Sequence, residues 1–149
     1  MHATVRSIIE AAGNADEEVC LLDTEASPEH LSRGTARYAD TMLAVVEPYF
    51  KSLETGRRMA VLARDLGIER VGLVANKIRD ERDLTPVTEF AAKHDLTVIG
   101  VVPFDASLPD AERAGAAPLD FAPDSPAVLA IGRLAEQLAS SNGGGDGRA

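Results

Sequence analysis

Apolar and polar positions fall in blocks along this chain, and the blocks switch between helical and strand length. Val5, Ile8 and Ile9 recur at helical spacing between His2 and Ala12, and Gly13-Asn14 ends that run. Val19-Cys20-Leu21-Leu22 is an apolar run too short for a helix and bounded by charge, which predicts a buried parallel strand. Asp40 to Glu47, DTMLAVVE, predicts a second strand, stopped by Pro48. Ser52 reads as the cap of a helix to about Leu66, with Leu53, Met59, Ala60, Ala63 and Leu66 inward and Gly67 closing it at C′. Arg70 to Ala75 predicts a third strand, and Thr85-Pro86 a helix start in the cap-then-proline arrangement, running to about His94. Thr97 to Val102 predicts the fourth strand, and Ser107 to Ala114 a short helix. Ser125-Pro126 opens the last helix, whose stripe of Val128, Ile131, Leu134, Ala135 and Leu138 runs to about Ala139.

Strands alternating with helices predict an α/β fold: a Rossmann-like, three-layer parallel sheet with right-handed crossovers and helices on both faces. A chain of 149 residues suits one domain with its own core. That domain is expected over residues 1–139, with residues 140–149, SSNGGGDGRA, a disordered tail. The 45% apolar content, with only 4% aromatic and no Trp, predicts an aliphatic interior. Net charge is −9 with a pI near 4.7, and no Lys/Arg cluster supplies a basic face. Binding of nucleic acid by counterion release, or of an anionic membrane surface, is therefore not expected. Cys20, the single cysteine, allows no internal disulfide and reads as a small core residue rather than a reactive thiol. His2 reads as a solvated side chain rather than a metal ligand. With no signal peptide and no apolar run near membrane-spanning length, the expectation is a soluble, cytoplasmic protein.

Open parallel sheets bind their ligands at the carboxyl edge, so the residues that end each strand carry the candidate chemistry. Asp23 ends the first strand. An apolar strand ending in Asp either presents a carboxylate to Mg²⁺ beside a nucleotide's phosphates or caps the next turn. Asn76-Lys77 follows the third strand, and the Asn76 amide can both donate to and accept from a base edge, or cap a turn. GTPases carry N-K-x-D at such a place, and here Arg79 stands where the guanine-reading Asp would be, with Asp80 one residue late. Pro103-Phe104-Asp105 follows the fourth strand.

Asp23 to Thr35, DTEASPEHLSRGT, resembles the D-x-E-A-G-x-E-H-x-G-R-G-T signature of the nickel-insertion accessory ATPases of carbon monoxide dehydrogenase. Those enzymes belong to the MinD/ParA-like branch of P-loop ATPases. Asp23, Glu25, Ala26, Glu29, His30, Arg33, Gly34 and Thr35 fall on the motif, while Ser27 and Ser32 stand where that family usually has glycine. Ser27-Pro28 reads as a helix N-cap with proline at N1, which implies a stiffer loop. The resemblance implies a P-loop NTPase fold with ATP and Mg²⁺ as cofactors. It implies Asp23 as metal ligand and, with Glu25, as the catalytic pair, the Glu25–Thr35 loop sensing the γ-phosphate. It further implies that Asn76, Lys77, Pro103, Phe104 and Asp105 hold adenine. Ala111 to Pro118, AERAGAAP, echoes the family's E-A-x-x-x-G-x-P. Its implied partners are a second copy or a complementing N-terminal half, and a metalloenzyme client like carbon monoxide dehydrogenase.

No G-x-x-x-x-G-K-[ST] phosphate loop occurs in the sequence, and Gly143-Gly144-Gly145 has no lysine after it. The family's Cys-x-Cys metal motif is not in the sequence either. In the family's fold the Walker A strand lies between the Walker B strand and the strands that follow. A sheet without it leaves strand edges, each a row of backbone donors and acceptors, unpaired. The expectation is thus the C-terminal part of a metallocentre-maturation ATPase, inactive alone. It would arise as a truncated reading frame, as half of a split enzyme, or as a non-catalytic interaction module. A receiver-like phospho-acceptor, with Asp23 as acceptor and Lys77 as the strand-end lysine, is disfavoured because the acidic cluster and strand-end Ser/Thr are missing.

Overall fold

The computed structural model of the chain describes residues 19–24 and 39–142. Its elements run β1 (Thr41–Val46), α1 (Phe50–Asp65), β2 (Arg70–Ile78), α2 (Glu81–Lys93), β3 (Val98–Pro103), α3 (Ser107–Arg113), α4 (Pro118–Phe121) and α5 (Pro126–Asn142). The strands form a parallel sheet in the order β1-β2-β3. The β1–β2 register runs unbroken from Thr41↔Arg70 to Val46↔Ala75. Between β2 and β3 it shifts twice, after Leu73 and between Ala75 and Ile78.

Period-two alternation sorts the strand side chains onto two faces. Ala44, Val46, Leu73 and Ala75 turn toward α1 and α2, where they meet Leu53, Ala60, Val87 and Ala91. Val74 and Val102 turn the other way, against Ala127 and Leu134 of α5 and Leu108 of α3. Leu73, Val46 and Val87 are the largest fully buried side chains, and burying each contributes about 1.5–3 kcal/mol. The expected three-layer α/β arrangement is therefore present. The second layer of helices covers β1 less than β2 and β3: Val45, which faces away from α1, is 61% exposed. Among the described residues no helix is long and apolar enough to cross a membrane.

Helix closures repeat one device. Gly67 takes φ +85°, its N–H donates to the Arg64 carbonyl, and the Ile68 N–H donates to the Ala63 carbonyl. That is the Schellman arrangement expected of Gly67 at C′. Gly115 closes α3 in the same way, at φ +66°. After α2 the left-handed position falls to Asp95, at φ +54°, with the Leu96 N–H bonded to the Ala91 carbonyl.

Several expectations are corrected. Residues 19–24 form no strand: Val19 and Leu21 are 83% and 86% exposed, and Cys20 is exposed rather than in the core. An apolar run becomes a strand only when a neighbour supplies the ladder and a layer covers it, and among the described residues β1 pairs with β2 alone. Among the described residues three strands are therefore found where four were expected. Helix α1 begins at Phe50, so Ser52 lies in its first turn, and the Ser52 hydroxyl accepts the Glu47 N–H at 2.9 Å. Helix α2 begins not at Thr85-Pro86 but at Glu81, capped by the Asp80 carboxylate, which accepts the Arg82 N–H. The cap and the burial of Val87 and Ala91 against the sheet accompany a helix that carries Pro86 in its second turn. Strand β2 runs on to Ile78, and α5 to Asn142, three residues past the expected boundary of the tail. The short helix α4 was not foreseen. The helix expected over His2 to Ala12, the loop from Glu25 to Thr35 and the tail beyond Asn142 lie outside the described residues.

Candidate functional site

Among the described residues the three parallel strands end on one side of the sheet, and residues at the ends of β2 and β3 help to wall a cleft. Strand β2 delivers Asn76 and Lys77, and the end of β3 with the loop after it delivers Pro103, Phe104 and Asp105. Leu108, Pro109 and Glu112 of α3, Ala116, and Pro118 of α4 complete the lining. The cavity measures about 610 Å³, within the range of small-molecule sites, and its walls are mainly apolar with few polar groups, as such sites are.

Asn76 and Lys77 do not follow the strand, as expected, but sit within an irregularity of it. Lys77 has φ +58°, a left-handed backbone uncommon for a residue with a side chain. The Asn76 Oδ1 accepts the Lys77 N–H at 3.0 Å and stabilises that turn. The turn-cap and base-contact readings of Asn76 are thus compatible. Its carbonyl oxygen makes the cap, and its amide nitrogen is the group left to donate on the cleft wall. The Lys77 Nζ lies 2.6 Å from the Glu47 Oε1, an ion pair that joins the carboxyl ends of β1 and β2.

The Asp105 carboxylate is engaged inside the fold. Its Oδ1 accepts from the Ser107 hydroxyl at 2.6 Å and the Ser107 N–H at 2.9 Å, and its Oδ2 accepts the Ala127 N–H at 3.1 Å. The Ser107 hydroxyl, then the Ser107 and Ala127 amides, hold its carboxyl down at about 2. It thereby ties the loop after β3 to the first turn of α5, and both oxygens are taken. Phe104 is half exposed, its N–H donates to the Ile78 carbonyl at 2.9 Å, and Arg79 stacks on its ring.

The expected adenine-holding residues Asn76, Lys77, Pro103, Phe104 and Asp105 thus line one cavity. The other expected site residues do not join them. Asp23 is exposed, outside any strand, and does not line the cleft; Glu25 lies outside the described residues. Among the described residues no three His, Cys, Asp or Glu side chains converge as a metal site. Mg²⁺ beside a nucleotide is ordinarily held by one or two carboxylates and the substrate's phosphates, and no chemistry through it is derived. Sequence reasoning passed over Glu47 and Pro109. An acid directly after an uncharged strand was the available signal for Glu47, the same signal that singled out Asp23. Glu112, Ala116 and Pro118 belong to the AERAGAAP stretch already noted as a motif.

No protein-family model matches the chain. Among curated proteins it is 36% identical over 122 residues to the carbon monoxide dehydrogenase accessory protein CooC of Rhodospirillum rubrum, covering 82% of this chain and 46% of that protein. It is 41% identical over 99 residues to an uncharacterised ATP-binding protein of Methanocaldococcus jannaschii, covering 66% of this chain and 38% of that one. The chain therefore spans under half the length of these relatives. Among solved structures, the cell division ATPase MinD of Pyrococcus furiosus matches 94% of this chain and 59% of its own, with a TM-score of 0.68 at 17% identity. MinD of Aquifex aeolicus matches 71% of this chain and 46% of its own, with a TM-score of 0.61 at 23% identity. At these identities the structural likeness establishes the fold.

Proposed function

We propose that this chain, which is similar to CooC over less than half of that protein and shares its fold with MinD, carries the base-binding side of an ATP site in a metallocentre-maturation ATPase. The observation that carries this reading is the gathering of Asn76, Lys77, Pro103, Phe104 and Asp105 around one apolar cleft at the sheet's carboxyl edge. An adenine ring suits such a cleft: its faces stack on Pro103 and Phe104, and its edge accepts from the Asn76 amide nitrogen. Asp105 contributes by fixing the loop rather than by its carboxylate, whose oxygens are taken. Phosphates would extend past Lys77, whose ammonium an anion could draw from Glu47. When bound, ATP supplies the phosphoryl group, Asp23 and Glu25 are the proposed catalytic residues, and the client is a carbon monoxide dehydrogenase-like metalloenzyme.

Titration of the purified chain with ATP and GTP, followed by NMR shifts of the Asn76 side-chain amide, tests the base assignment. Arg79 stands where a guanine-reading carboxylate would be, so ATP is expected to bind more tightly. Equal affinities would sink the assignment of Asn76. Turnover of Mg-ATP by the same chain is expected not to exceed that of an Asp23→Ala control. Phosphoryl transfer depends on a preorganised phosphate cradle, which these 149 residues do not encode. Loss of even one such donor costs about 3 kcal/mol, roughly a hundredfold in rate.

The outer edge of β1 favours a second reading, in which the chain is the half of a split enzyme or an interaction module completed by another polypeptide. Strand β1 is paired on one side only among the described residues, and its TMLAVV sequence has no charge or proline to protect that edge. A complementing strand would be detected as slowed amide exchange along β1 on co-expression. Unchanged exchange would remove this reading.

A further inference from the structure

The segment after β2 and the cleft-lining loop after β3 are held together by a side chain that does not itself line the cleft. Arg79 follows the end of β2, and Phe104 follows the end of β3. The centre of the Arg79 guanidinium lies 4.8 Å from the centroid of the Phe104 ring, well inside cation–π range. Two contacts to Asp83 in the first turn of α2 brace Arg79. Its N–H donates to the Asp83 Oδ2 at 3.0 Å, and its Nη1 lies 3.7 Å from that same oxygen. The Phe104 main chain is fixed separately, by its bond to the Ile78 carbonyl.

We propose that Arg79 is a positioning residue of the cleft: anchored by Asp83, it occupies one face of the Phe104 ring and so presents the other face to a flat heterocyclic ligand. Phe104 lines the cavity whereas Arg79 does not, and in this reading the cation lies on the ring face away from the ligand space. A half-exposed Phe on a loop has free torsions unless something holds it, and ordering it on binding carries an entropic cost. Arg79 bears that cost before the ligand arrives. The cation also draws the ring's electron density toward itself, which makes the opposite face a better stacking surface for an electron-rich purine. This rests on the adenine reading of the cleft and deepens it, because it makes Arg79 a determinant of base affinity as well as of base choice.

The test uses the full chain and adenosine, which has no phosphate and does not depend on a phosphate loop. The chain has no Trp, so Phe104→Trp installs a single fluorophore in the ring position. Adenosine is expected to quench that fluorophore, and the quench to shrink when Arg79→Ala is added. In the otherwise native chain Arg79→Ala is expected to weaken adenosine binding about three- to tenfold, and Arg79→Lys, which keeps the charge but not the planar stack, by less. The Arg79 side-chain methylene protons should show an upfield ring-current shift in the NMR spectrum that Phe104→Leu abolishes. Global stability alone does not move that shift. Wild-type adenosine binding that persists unchanged in Arg79→Ala overturns the inference and leaves the adenine reading standing. No adenosine binding by the wild-type chain, with the ring-current shift present, overturns the adenine reading and the positioning role with it.

Discussion

Asp105 was read from the sequence as a ligand contact, and its geometry makes it a tether. Its folded carboxyl sits near 2, below the ordinary 3.8, so its charge contributes stability in full above about pH 4. That contribution is lost as the pH falls from there through about 2. Asp105→Asn is expected to lower the thermal midpoint at pH 7, and the gap from the parent should close by about pH 2 in a pH series of melting curves. Glu54, held near 2 by its hydrogen bonds and charge contacts with Arg57 and Arg58, titrates in the same window, so Glu54→Gln is the control that separates the two. Asp95 offers a change of opposite sign. It occupies the left-handed C′ position that Gly67 and Gly115 fill elsewhere. Asp95→Gly is expected to stabilise by about 0.5–1 kcal/mol in urea unfolding, since the bond from Arg64 goes to the Asp95 main-chain carbonyl and survives. At this scale Asn76, Lys77, Pro103, Phe104 and Asp105 were legible, because they stand at the ends of β2 and β3, whereas Pro109 on α3 was not. What each atom does was not: the two bonds to Ser107 could be guessed from proximity, but the bond to Ala127 spans 22 positions.

Elements were legible where periodicity was the deciding force and misjudged where local chemistry competed with it. β1, β2 and β3 were each visible as apolar runs. The start of α2 was placed at Thr85-Pro86 because proline is a strong signal, yet Asp80 with its bond to the Arg82 N–H starts the helix a turn earlier. Close approach between elements is invisible in a single sequence, and Gly56 is the instance that matters most here. A Cβ at Gly56 would stand 2.5 Å from the Val46 Cγ1, so this glycine sets the distance at which α1 lies on β1. Gly56→Ala is expected to destabilise by about 1–3 kcal/mol, overpacking outweighing the helix-propensity gain of about 0.5–1 kcal/mol. Adding Val46→Ala should recover part of that loss, and a double-mutant cycle by denaturant unfolding would read the coupling. Strict additivity would show that the two elements move apart without strain.

For the molecule as a whole, the α/β class and the carboxyl-edge location of the cleft followed from alternation alone. The failed element, Val19–Leu22, failed because a strand is a property of pairs and no neighbour in the described residues pairs with it. Among the described residues strand β1 has the complementary problem, a ladder satisfied on one side and Val45 uncovered on its far face. At rising concentration the chain alone is expected to self-associate, and Val45→Lys should suppress this in sedimentation experiments without lowering adenosine affinity, since Val45 does not line the cleft. The same edge also governs how long the molecule lasts in a cell. If no other segment or chain fills its outer hydrogen-bonding row, a newly made copy would display the kind of extended apolar backbone that chaperones hold and proteases cut. Its half-life would then be set by the supply of a partner strand, and the two would be matched in number by degradation of the unpaired excess.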